Sequence, residues 1–105
     1  MHNPMFGSIR KYSGAPTMVE ELVKKQDDIK SALRPVAGFQ SYYLLRTNDG
    51  AISLTVCDNK AGAEESNRVA ATWLKDKLPV FATRAPEITT GEVQIQLNGP
   101  VKVTV

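Results

Sequence analysis

Cysteine and histidine are nearly missing from this chain of 105 residues, which has one of each, Cys57 and His2. A lone cysteine leaves no internal disulfide and no cysteine-pair metal site. With His2 close to the amino terminus, the parts for a Ser–His–Asp triad, a histidine–cysteine pair or a histidine-rich metal cluster are not there. Neither a metal nor a cofactor is therefore expected. Basic runs are lacking too: 13 basic and 11 acidic residues, net charge +2, are scattered along the chain, so nucleic acid is not an expected partner. No apolar stretch approaches the ~20 residues that span a bilayer, and the opening MHNPMFGSIRK has no apolar signal core, which makes the cytoplasm the default location. No glycine-rich phosphate loop follows a strand pattern. Glu64–Glu65 and Asp27–Asp28 are neighbours in sequence that diverge on a helix, so neither is a catalytic carboxylate pair.

What remains is an ordinary globular composition, 42% hydrophobic and 23% charged, of a length that suits one domain over 1–105 with a core over about 5–97. MFGSIRKY (5–12) reads as a first strand and SGAP breaks it. Thr17 and Glu20 have the spacing of a capping box. Met18, Leu22, Ile29, Leu33 and Val36 then recur at helical spacing, interrupted by Gln26, until Pro35 and Gly38 end the helix near residue 34. A hairpin follows, FQSYYLLR and AISLTVC, and a two-residue turn at Asn48–Asp49 or Asp49–Gly50 puts Tyr43 and Leu45 on one face with Ile52, Leu54 and Val56. That face is the expected core. The opposite one, with Tyr42, Leu44, Ser53, Thr55 and Cys57, is expected to be open and to serve as a subunit interface. Asp58 or Asn59 can cap a second helix with an apolar stripe of Ala63, Ala70, Trp73, Leu74 and Leu78, stopped by Pro79. Residues 79–92 read as irregular, VQIQL (93–97) as a half-buried strand, and VKVTV (101–105) as a terminal strand after the Asn98–Gly99 turn.

The order is β-α-β-β-α-β plus a carboxy-terminal strand. It predicts an α+β, ferredoxin-like fold: an antiparallel sheet with two helices on one face. RNA-recognition modules share this order but need aromatics on the open face of the central strands, and SLTVCD has none.

IRKY near the start, AGFQSYYLL, the acidic-glycine turn and DNKAGAEESN (58–67) followed by Trp73 resemble the dimeric α/β-barrel superfamily, in the branch of small antibiotic biosynthesis monooxygenase-like proteins. The resemblance spans about residues 6–96. It implies a homodimer in which two sheets close a barrel through their open faces, and a cavity between sheet and helices in each subunit. Some members oxidise polycyclic phenols with neither metal nor flavin, and others degrade haem. Haem-degrading members use a histidine on the second helix, which this chain lacks. Phenol oxidisers surround the substrate with Asn, Trp, Tyr and Arg side chains. Asn67 and Trp73 on the second helix and Arg84 after it stand in matching territory.

The candidate substrate-binding residues are Asn67, Trp73, Tyr43 and Arg84, with no catalytic residue assigned. Asn67 borders the buried stripe, where an amide can orient a phenol or simply bond backbone. Trp73 suits stacking on a flat ligand or plain core packing. Tyr43, on the expected core face, needs a partner for its hydroxyl. Arg10 and Tyr12 share strand parity and can meet an acid in the pocket or lie at the dimer seam. The expected function is a small-molecule-binding homodimer, a cofactor-independent monooxygenase acting on a small phenolic or polycyclic aromatic ligand. The alternative is a non-catalytic dimeric ligand-binding or structural module of the same fold.

Overall fold

The computed structural model describes residues 4–100. Strand β1 (Phe6–Tyr12) leads through a short loop to helices α1 (Met18–Lys24) and α2 (Gln26–Leu33). The hairpin β2 (Phe39–Arg46) and β3 (Ala51–Cys57) follows, then α3 (Lys60–Lys77), a 3₁₀ turn (Pro79–Ala82) and β4 (Glu87–Glu92). The sheet has the order β2-β3-β1-β4 with every neighbour antiparallel. This is the ferredoxin-like arrangement expected from the sequence.

The expected first helix is two helices. Lys25 leaves helical dihedrals, at φ −112° and ψ 24°. Between Leu22 and Ile29 the apolar stripe holds only Gln26, so no side chain anchors that turn to the sheet. Thr17 occupies the N-cap position without a side-chain cap bond. Glu20 pairs with Arg46 across the fold instead. Asn59 does cap α3, accepting from Gly62 N at 2.9 Å. The chain leaves α2 through Gly38 at φ 78°, a backbone conformation that glycine adopts without steric cost.

The hairpin turns at Asn48–Asp49, closed by Thr47 and Gly50, with Tyr43 opposite Leu54 and Leu45 opposite Ile52. The parity of the hairpin is as expected; the face that the helices cover is the reverse. Tyr43 and Leu45 are 59% and 52% exposed, and with Ile9, Ile52, Leu54 and Val56 they form the open face. The covered face carries Ser8, Arg10, Tyr12, Ala51, Ser53, Thr55 and Cys57, all buried. Two physical causes account for the reversal. The amino-terminal end of α3 lies close on the sheet, where a Cβ added at Gly62 would fall 3.0 Å from Cys57 Cβ, so small side chains are needed below it. The Ser8 and Thr55 hydroxyls buried with them are held in a network with Arg10 and Asn67, which offsets their desolvation. Cys57 is accordingly a core residue beneath α3, and the interface role expected of it and of the Tyr42–Leu44 face is withdrawn.

The apolar core lies between α1, α3 and the sheet and is built on Tyr12, Met18, Val19, Leu22, Ala51 and Leu74, with Leu44, Trp73 and Phe81 packed against it. The fourth strand also differs from expectation. It is EITTGE, and VQIQL forms no strand. The pairing partner decides this: β4 runs alongside β1 from Glu87 to Glu92, and Val93 N still bonds Met5 O. Beyond that the alternating segment has passed the end of β1, leaving Ile95 and Leu97 80% and 89% exposed. The strand expected over 101–105 lies outside the described residues.

Candidate functional site

Arg10 is the centre of the site. Position 10 of β1 points under the helices, opposite Ser53 on one side and Ile88 on the other, and leaves the side chain 2% exposed. Its Nη1 donates to Asn67 Oδ1 at 2.8 Å and its Nη2 to Thr55 Oγ1 at 3.0 Å. Ser8 Oγ donates to the same Asn67 oxygen at 2.7 Å and lies 3.2 Å from Thr90 Oγ1. A helix, three strands and five polar side chains thus meet in one cluster. Because Arg10 is a pure donor, the Asn67 amide is oriented with its oxygen inward.

Two hollows adjoin this cluster. The larger, about 670 Å³, is a groove bounded by α3, the 79–86 segment and the β1–β4 edge of the sheet. Arg10, Tyr12 and Asn67 meet apolar walls there from Ala71, Leu74 and Ile88. The smaller, about 40 Å³, lies between α2, α3 and the sheet, with Arg10, Tyr12, Tyr42, Ser53 and Trp73 around it. Three of these residues carry a buried polar atom without a partner: Arg10 Nε, Ser53 Oγ and Trp73 Nε1. Burial pushes the phenols of Tyr12 and Tyr42 above the ordinary 10.0, and the nearby Arg10 charge pulls both part of the way back. Burial likewise raises the Cys57 thiol, with Asp58 adding to the shift. Among the described residues, no three His, Cys, Asp or Glu side chains gather where they could hold a metal ion. No helix there is long and apolar enough to cross a membrane.

The four residues expected to bind substrate are not all brought together. Asn67 and Arg84 line the groove. Trp73 lines the small cavity instead, and Arg10, Tyr12 and Leu74 belong to both. Tyr43 is on the far side of the sheet and has no part in either hollow. Tyr42, one residue away, occupies the place that Tyr43 was expected to fill, a direct result of the reversed face. Arg10 is the main residue that sequence reasoning left undecided. The available signal was parity: Arg10 shares its strand face with Ser8 and Tyr12, while Lys11 takes the other.

No protein-family model matches the chain, and no curated protein matches it in sequence. Solved structures do match in fold. A protein of unknown function from Nitrosomonas europaea is similar at TM-score 0.68 and 13% identity, over 95% of this chain and all of its own. A monooxygenase of Streptomyces coelicolor, in complex with nanaomycin D, is similar at TM-score 0.63 and 12% identity, over 93% of this chain and 94% of its own. A dimeric ferredoxin-like protein from an uncultured marine organism is similar at TM-score 0.59 and 18% identity, over 94% of this chain and 95% of its own. The likeness expected from the sequence is thus met at the level of the fold.

Proposed function

We propose that this chain is a small-molecule-binding homodimer that oxidises a phenolic or polycyclic aromatic substrate without a cofactor. The observation that carries the reading is the groove: some 670 Å³, mostly apolar, with the Arg10–Asn67–Ser8 cluster at its wall. Its size suits a ring system of two or three fused rings, and the few converging polar groups suit orientation of that ring system. In such chemistry the ionised phenol itself supplies electrons to oxygen, and the protein holds, orients and desolvates it. Asn67 and Arg84 are the holders on the groove side, and Trp73 supports the wall from behind. The fold shared with a Streptomyces coelicolor monooxygenase that holds nanaomycin D supports this class of ligand.

The homodimer is proposed on the open face. Ile9, Tyr43 and Leu45 are exposed there beside Ile52, Leu54 and Val56, an apolar surface of the kind that marks an interface. The 94–97 segment beyond β4, with exposed Ile95 and Leu97, adds a second apolar element able to reach a partner's sheet. The fold shared with a dimeric ferredoxin-like protein supports the same assembly. A cytoplasmic setting suits a chain with one unpaired thiol.

Oxygen uptake with a panel of hydroxylated naphthalenes and anthracenes tests the catalytic part. Uptake with at least one of them, strongly reduced in Asn67→Ala, is the expected result. The non-catalytic module is the second reading, favoured by one observation: among the described residues no His, Asp or Glu side chain lines the groove to serve as a base. It predicts ligand binding with no oxygen consumed.

A further inference from the structure

Arg10 carries a charge that it cannot shed, and it carries it inside the protein. Among the described residues no ion pair involves it. Its hydrogen-bond partners, Asn67 and Thr55, are neutral, and its Nε has none. Burial keeps Tyr12, Tyr42 and Cys57 in their neutral forms at ordinary pH, so no phenolate or thiolate supplies the missing charge. A desolvated cation without a counter-charge is among the costliest arrangements a fold can hold.

The surroundings are rich in donors. Trp73 Nε1 is a second buried N–H without a partner, on the same small cavity that Arg10 and Ser53 line. The Asn67 oxygen is already used twice, which leaves its amide nitrogen as a donor at the groove. Arginine here, with a planar fork matched to oxyanions, differs from a lysine that would lose its proton on burial.

We infer that the ligand of the groove is an organic anion, an aromatic ring system bearing an ionised enol, phenol or carboxyl group, whose charge is paired by Arg10. The inference rests on the small-molecule reading of the groove and narrows its substrate class. The ring occupies the apolar walls, and the oxyanion faces the guanidinium and the Asn67 amide. The charge can come from the ligand itself or from a free inorganic anion beside a neutral ligand, and the two are separable by experiment.

The test uses the whole protein under nitrogen and two probes of one shape. One is 2-hydroxy-1,4-naphthoquinone, an anion at neutral pH; the other is its uncharged 2-methoxy ether. Binding is read from quenching of Trp73, the one tryptophan in the chain, in chloride-free buffer and again with added sodium chloride. The expected result is that the anion binds at least about tenfold more tightly than the ether. The preference should vanish in Arg10→Gln and fall sharply in Arg10→Lys, whose buried amine sheds its proton. Should Arg10→Gln fail to fold, Asn67→Asp takes its place, since an internal carboxylate would compete for the guanidinium and also abolish the preference. Equal affinity for the two probes, no binding of either at about 1 mM, or a preference untouched by these variants would overturn the inference. So would an ether whose binding improves with chloride, because the charge would then come from a free ion. Oxygen uptake is a separate readout: a preference for the anion with no turnover of any phenol would remove the oxygenase reading and leave this one standing.

Discussion

Asn67 Oδ1 sits 2.8 Å from Arg10 Nη1 and 2.7 Å from Ser8 Oγ, joining helix α3 to the central strand through one shared acceptor. The amide binds the guanidinium but does not neutralise it. Replacing Asn67 with aspartate should do both. We expect Asn67→Asp to be more stable than the natural chain by about 1–2 kcal/mol at pH 7, from a charge-assisted bond to a cation already buried. The sign follows from linkage: a carboxyl held below its ordinary value of about 3.9 stabilises the fold above that pH and loses the effect as pH falls through its folded value. Thermal melts at neutral and acidic pH check this. A variant less stable at pH 7 would mean that the Arg10 charge is already balanced.

Tyr12 and Tyr42 are both held neutral by burial. Their folded values lie above the unfolded value of about 10, so their contribution is fully present below pH 10 and is lost as pH rises through the folded values. The melting temperature should therefore fall above pH 10, and less steeply in Tyr42→Phe. Parallel pH profiles for the two proteins would argue against a buried Tyr42 phenol.

Leu54 and Leu44 lie on opposite faces of the hairpin and should answer aspartate differently. Leu44 packs against the core, so Leu44→Asp should cost more than about 3 kcal/mol and unfold a marginal domain. Leu54 belongs to the open face, so Leu54→Asp should leave a folded chain that sediments as a monomer, where the natural chain is expected to sediment as a dimer. An unchanged dimer would place the seam elsewhere.

Gly50 shows how tightly the hairpin tip is tied to the rest. A Cβ added there would overlap the Tyr12 carbonyl oxygen, a backbone atom that cannot swing aside. The same corner is fixed by Asp49, whose backbone and side-chain oxygens accept from Ala15 N and Gly14 N at 2.8 and 2.9 Å. Gly50→Ala should cost about 2 kcal/mol or more, read as a lowered urea midpoint. Gly99→Ala, with open space around it, is the control and should be close to neutral.

The order of elements could be read from the sequence because it rests on local signals: the period of the stripes, the Asn59 cap, the Gly38 exit, the Pro79 stop and the two-residue hairpin turn. The pairing of Tyr43 with Leu54 could be read too, since turn length sets it. Which face the helices cover could not. The Ile52–Leu54–Val56 face is the more apolar, and hydropathy alone assigns it to the core. Ser53 and Thr55 go inside because Arg10 and Asn67 are there, and those two side chains are 57 positions apart in sequence. The same distance hid the pairing: Asn67 was picked out from its helix, while Arg10 on β1 stayed open between the pocket and the dimer seam. For β4, the alternation in VQIQL was the stronger local pattern, yet EITTGE is the segment that lies alongside β1.

The most direct test of the account is nuclear magnetic resonance on the protein labelled with nitrogen-15, following the Arg10 Nε–H and Asn67 side-chain signals while 2-hydroxy-1,4-naphthoquinone is added. The account predicts a saturable downfield shift of the Arg10 Nε–H, with changes at Asn67 and along 79–86, and none on the Tyr43–Leu45 face. Shifts confined to that open face, or an Arg10 signal that does not move while the ligand binds, would contradict it.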